Sequence, residues 1–307
     1  MKKTINAVSF LAIGKTQDSS ETSSSFKRYV GYGESYIKMF NPTKEKLDEF
    51  MGYESSFEPE YIKEENGEKQ VNIHFIVETA PDFCNGIDIK NKAMFTLKEK
   101  PALSSNGETV QVIDDFGNYA RMNYEDAKAH KPLPSNYKID QTGYRIAREG
   151  EVDLTVFLKK YLRVGSSLDY KNGAWVVKPD ARERGAFKLE NIKDYFKGDF
   201  SEIKEALEMQ PNNRIMLLYG VKTKEDGKQQ QCVCVNADLT LKNNASSDDI
   251  AKAAKSLANA KSNGKYANID YRVQELAEYD VQPTNLEQPA SGAKGSEDSG
   301  SGDMPWD

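Results

Sequence analysis

Histidine, cysteine and tryptophan are scarce in this chain: its 307 residues include 2 His, 3 Cys and 2 Trp. Three cysteines (Cys84, Cys232, Cys234) and two histidines (His74, His130) do not make a disulfide framework or a four-ligand Cys/His zinc site. Cys232 and Cys234 lie two apart, so on a strand they share a face, where they read as reduced, part-buried thiols. Enzymatic motifs are missing too: there is no GxxxxGK(S/T), GxSxG, HExxH or GxGxxG. Asp114-Asp115 falls at a predicted turn and Asp248-Asp249 at a predicted helix start, both ordinary places for aspartate, so neither is taken as a metal pair. The expectation is a chain without cofactor, metal or enzymatic activity. No stretch approaches the roughly 18 apolar residues of a membrane span. The opening Met1-Lys2-Lys3-Thr4-Ile5-Asn6 has no apolar core of signal-peptide length, so the expected location is the cytoplasm, away from membranes.

Charge is plentiful and unevenly placed. The formal net charge is −6, of which −4 falls in residues 283–307 and −2 in the other 282. A near-neutral body is compatible with an anionic partner, because phosphate is attracted by a local basic groove and not by the whole-chain sum. Apolar residues are 38% and charged residues 29%, with 16 Tyr and 13 Phe, which describes a globular chain with a large polar surface.

Residues 4–14 read as a strand and 17–25 as a serine-rich flexible loop. The segment 26–40, FKRYVGYGESYIKMF, reads as a long bent strand whose Gly31 and Gly33 permit a bulge or a close backbone approach. Thr43 and Gly52 bracket a short helix. Residues 71–79 alternate as a half-buried strand does, 89–98 read as its neighbour, and 109–127 as a hairpin turning at 115–118. Apolar spacing predicts helices over 151–163, 190–209 and 248–261, and hairpins over 169–175 and 214–241. A closing strand is predicted over 268–281. The fold class expected is α+β and β-rich, a twisted or closed antiparallel sheet with helical insertions, comprising residues 1–282. From Pro283 the composition becomes a Pro/Gly/Ser linker, a disordered acidic tail over 283–307.

Aromatic residues interleave with cations. Arg28, Tyr29, Tyr32, Tyr36, Lys38 and Phe40 crowd one predicted strand, and Tyr119 with Arg121, Tyr144 with Arg145, and Tyr161 with Arg163 repeat the association. Arg28, Tyr32, Tyr36, Lys38 and Phe40 share a parity, so an ideal strand would present them together. Rings that stack on bases beside cations that meet phosphates are what single-stranded nucleic acid requires, and the first ten of these residues are the predicted interface. Arg182-Glu183-Arg184-Gly185 with Lys188 reads first as a solvated loop. At the chain's end, Asp303, Met304, Pro305, Trp306 and Asp307 form an acid-flanked apolar tip suited to a basic-rimmed pocket on a partner.

The segments Phe40-Asn41-Pro42-Thr43-Lys44, Glu58-Pro59-Glu60-Tyr61-Ile62, Val71-Asn72-Ile73-His74-Phe75, Val112-Ile113-Asp114-Asp115-Phe116-Gly117 and Gln210-Pro211-Asn212-Asn213 resemble the single-stranded DNA-binding proteins of crAss-like bacteriophages. Asp303-Met304-Pro305-Trp306 is similar to the acidic C-terminal tip of bacterial and phage single-stranded DNA-binding proteins, with Trp for the usual Phe and Asp307 following it. The resemblance implies an OB-fold-like barrel. It also implies a role in DNA replication and recombination in the host cytoplasm, coating strands with little base preference and recruiting replication or recombination proteins through the tip. The alternative is a virion or scaffold interaction protein without DNA binding. Oligomeric state is left open.

Overall fold

The computed structural model describes residues 27–52, 54, 58–65, 67–80, 89–141, 143–163, 168–171, 174–177, 192–227, 229–273 and 281–283. The predicted strand at 4–14, the loop at 17–25, the basic loop at 182–188 and the tip at 303–307 lie outside them.

A nine-stranded antiparallel sheet organises the chain. Its path runs from Gln229–Cys234 through Arg214–Thr223, Gly31–Phe40, Glu68–Thr79 and Lys90–Pro101 to Arg148–Glu149. Ile62–Glu65, Leu241–Lys242 and Ile269–Tyr271 attach as short flanking strands. A separate sheet sets Thr109–Ile113 between Tyr119–Asn123 and Arg145–Ile146. Two-stranded ribbons form from Leu168–Lys171 with Ala174–Val177 and from Lys27–Tyr29 with Val281–Pro283. The architecture is α+β and strand-rich, as expected. The main sheet is not closed into a barrel. It curls until Gln229–Cys234 approaches Lys90–Pro101 without pairing to it. Closure fails where the far edge, Arg148–Glu149, is only two residues long and gives way at Gly150 to a helix.

The concave face holds the main core. Phe75, Phe95, Leu217 and Tyr219 of the sheet meet Leu154 and Phe157 of the Glu151–Tyr161 helix, Tyr195 of the Ile192–Tyr195 helix, and Phe200 and Ile203 at the start of the Ser201–Met209 helix. Phe157 stacks on Phe75 at 5.0 Å and meets Phe95 edge-on at 5.0 Å. Burying such rings contributes about 1.5–3 kcal/mol each. The opposite face is covered in two places. The Ser247–Ser262 helix lays Ile250, Ala253 and Leu257 over Tyr32, Leu218 and Met216, and the Lys44–Met51 helix sets Leu47 and Met51 against Ile76. The first helix starts at the predicted Thr43 cap; the second, predicted from residue 248, starts at Ser247 behind a reciprocal capping box between Ser246 and Asp249.

Three local expectations are corrected. Residues 71–79 alternate in sequence, yet Val71 through Val77 are all buried, because the Lys44–Met51 helix and the Tyr61 ring cover the face expected to be wet. The predicted 190–209 helix is two short ones, with Gly198 at φ 89° in the turn between them. Of the predicted 268–281 strand, Ile269–Tyr271 is a strand and residues 274–280 lie outside the described residues, while Val281–Pro283 pairs with Lys27–Tyr29, so Pro283 lies in a strand. Among the described residues no helix is long and apolar enough to cross a membrane.

Candidate functional site

The predicted ring-and-cation face does not assemble. Between Ile37↔Val77 and Met39↔Ile76 the register slips by one, leaving Lys38 as the extra residue of a bulge. The slip moves Phe40 off the Tyr32–Tyr36 face and into the core against Phe75 at 5.4 Å and Phe200 at 5.9 Å. Tyr29 and Tyr32 are core residues whose hydroxyls donate to the Tyr32 and Leu239 carbonyls, the latter at 2.6 Å. Gly33 permits the packing behind them: a Cβ there would stand 2.8 Å from the Tyr219 ring. Tyr36 accepts from Arg214 Nε at 2.6 Å and Lys38 Nζ lies 5.4 Å from its ring centroid. Both cations are matched locally, Arg214 by Glu34 and Lys38 by Glu78, each at 2.8 Å, so this patch has little net attraction for phosphate. Arg28 lies opposite Gln282 in a strand. Tyr144 is buried and donates to the Lys131 carbonyl at 2.7 Å; Arg145 is paired with Glu151. Arg121 is exposed, with Thr109 Oγ1 3.5 Å away.

Of these residues, Tyr119 alone enters the basic cleft that the structure does form. The cleft is built around the C-terminal turn of the Glu151–Tyr161 helix. Gly150 starts this helix at φ 81°, where a Cβ would stand 2.1 Å from the Thr96 carbonyl oxygen. Its last turn carries Lys159 and Lys160, placed where the helix dipole favours cations. Adjacent helical residues point about 100° apart, and these two lysines diverge to different loops. Lys159 Nζ donates to the Phe116 carbonyl; Lys160 Nζ donates to those of Ala237 at 2.9 Å and Thr240 at 2.5 Å. Asp114 holds the first loop: its carboxylate accepts from the Phe116 and Asn118 amides at 2.9 and 2.8 Å and from the Asp140 amide at 2.9 Å. That is the structural use of Asp114 expected from its place in a turn. Tyr119 ties the loops together by donating to Asp238 Oδ1 at 2.5 Å, and Asp153 accepts from the Ala237 amide at 2.7 Å.

These loops and the Lys242–Asn244 corner enclose a cavity of about 710 Å³. Five cations line it: Lys138, Lys159, Lys160, Arg163 and Lys242. Gly117, Asn118, Tyr119, Val156, Asn243 and Asn244 complete the lining. Lys138, Arg163 and Lys242 are exposed, and none is in an ion pair among the described residues. Burial lowers Lys159 and Lys160 to about 8; Asp114 opposes this at Lys159, and Asp238, Asp249 and Asp153 oppose it at Lys160. Burial first, with Asp238 behind it, pushes the Tyr119 hydroxyl far above its ordinary value, so it remains a donor. The site therefore offers charge at the rim, titratable amines deeper in, and neutral amides between them. That combination suits a polyanion carrying hydrogen-bonding groups.

Lys138, Lys159, Lys160 and Lys242 are absent from the predicted interface, and Arg163 was legible only as a cation near Tyr161. Tyr161 itself points away, buried, with its hydroxyl donating to Gln210 at 3.2 Å. A Lys-Lys pair followed by Arg at a helix end was the available signal; its meeting with residues 138 and 242 is tertiary. Comparison of the chain with protein-family models, with curated proteins and with solved structures finds no match.

Proposed function

We propose that this chain is a non-enzymatic, phage-type single-stranded DNA-binding protein of replication and recombination, with little base preference, whose grip on phosphates is the cleft at the end of the Glu151–Tyr161 helix. The observation that carries the reading is the convergence of Lys138, Arg163 and Lys242, exposed and without ion-pair partners among the described residues, on one cavity also lined by Tyr119. Lys/Arg contacts to phosphates supply the sequence-independent part of strand binding, and aromatic rings add stacking. On this reading the curled antiparallel sheet is an opened relative of the OB-type barrel. The tip Asp303–Asp307 recruits replication or recombination partners, and its acids compete with DNA for the cleft.

The test is a titration of the full chain against a fluorescently labelled oligo-dT strand at low salt. Replacing Lys138, Arg163 and Lys242 together by Gln should weaken binding by about tenfold or more. Absence of binding by the unmodified chain, or unchanged affinity in the triple variant, overturns the reading. Removing residues 284–307 should tighten binding if the tail competes; unchanged affinity removes that part alone.

A further inference from the structure

We propose that the cleft also binds free nucleoside triphosphates, in competition with the strand, an inference that rests on the cleft as the phosphate-binding site of the reading above. A cavity of about 710 Å³ encloses one compact ligand rather than a run of polymer. Five cations face that volume, and among the described residues no carboxylate is in the lining. A diester strand brings one negative charge with each nucleotide, so the short stretch that fits inside leaves cations unmatched. Asp114 and Asp238 lie behind Lys159 and Lys160 and offset part of their charge, which makes Lys138, Arg163 and Lys242 the surplus. A nucleoside triphosphate carries about four negative charges on one short chain, one on each inner phosphate and nearly two on the last. That density matches the cavity. Arg163 is brought to the site at φ 57°, a left-handed position after a helix that glycine ordinarily takes, so its place there is held against backbone strain. An ammonium has three N–H donors. Lys159 commits one, to the Phe116 carbonyl, and Lys160 two, to Ala237 and Thr240, so each keeps at least one for a ligand oxygen. Tyr119, its ring fixed by the bond to Asp238, and Val156 give the lining an apolar part against which a base can rest.

The test is equilibrium dialysis of the full chain against radiolabelled ATP at constant ionic strength, with AMP and inorganic tripolyphosphate as competitors. The expected result is saturable binding of one ATP per chain, with AMP and tripolyphosphate each weaker by about tenfold or more. Replacing Lys138, Arg163 and Lys242 together by Gln should weaken ATP by about tenfold or more, and ATP should displace labelled oligo-dT from the parent chain. ATP binding that the triple variant retains in full, or that leaves oligo-dT in place, overturns the proposal. Tripolyphosphate binding as tightly as ATP overturns the assignment of a nucleoside. A chain that binds oligo-dT and no ATP overturns the nucleotide site and leaves the strand reading standing; a chain that binds ATP and no oligo-dT overturns the strand reading and leaves the nucleotide site. If the triple variant fails to fold by circular dichroism, displacement of oligo-dT from the parent decides.

Discussion

Arg145 and Glu151 form a forked ion pair in which the carboxylate is wholly removed from solvent: Arg145 Nη1 donates to Oε2 at 3.1 Å, Nη2 donates to Oε1, and the Arg148 amide donates to Oε2 at 2.8 Å. An arginine expected to meet phosphate is used instead to neutralise a carboxylate at the start of the helix that carries Lys159 and Lys160. Arg145→Ala should lower stability by about 2–4 kcal/mol in urea unfolding, somewhat under the cost of breaking a fully buried pair, because the Arg145 side chain is 43% exposed. Glu151→Gln, which removes the stranded charge, should cost less. Equal stability of Arg145→Ala and the parent would show the pair to be dispensable.

The single ring-and-cation face expected from strand parity is not formed, for reasons that are local and identifiable. Strand parity predicts a shared face only while the register holds, and the bulge at Lys38 sends Phe40 to the other side. Tyr29, Tyr32 and Tyr144 are amphipathic, and in each the hydroxyl finds a backbone carbonyl inside the fold. The hairpins, the capped helices and the turn-forming Asp114 were readable because they depend on residues close in sequence. The cleft was not, because it depends on segments near 117, 138, 160 and 243 meeting in space.

Raising the pH should separate binding from stability. Lys159 and Lys160 titrate near 8, below the ordinary lysine value of 10.5. Between those values the unfolded chain binds more protons than the folded one, so these two groups make stability rise with pH above about 8. The rise ends near pH 10, where unfolded tyrosines ionise before the buried ones. Oligonucleotide affinity should move the other way, falling through pH 8 as the cleft loses charge. Flat affinity from pH 7 to 9.5 would place both amines outside the binding field.

Acid should act through His74. Burial, with Lys92 and Lys63 adding to it, lowers this imidazole from 6.5 to about 3. The unfolded state therefore takes up a proton that the folded state refuses, and stability falls as pH drops from about 6.5 toward 3. Between pH 6.5 and 5, before carboxylates titrate, the slope should steepen toward about 1.4 kcal/mol per pH unit. His74→Phe should flatten that slope whatever its effect on stability at pH 7. An unchanged slope contradicts the assignment.

Gly150→Ala tests the helix that holds the cleft. At φ 81° with a carbonyl oxygen 2.1 Å from the new Cβ, the substitution should cost more than about 2 kcal/mol in urea unfolding. Displacing Lys159 and Lys160 should also weaken oligonucleotide binding. Full stability would mean the helix start relaxes freely.

The salt dependence of oligo-dT binding bears most directly on the cleft as the phosphate-binding site. Each phosphate neutralised on a single strand contributes a slope of about −0.7 in log K against log salt. The parent chain should therefore exceed the Lys138→Gln, Arg163→Gln, Lys242→Gln triple variant by about 2 in slope. Equal slopes, with the parent binding and the variant folded, would contradict the account.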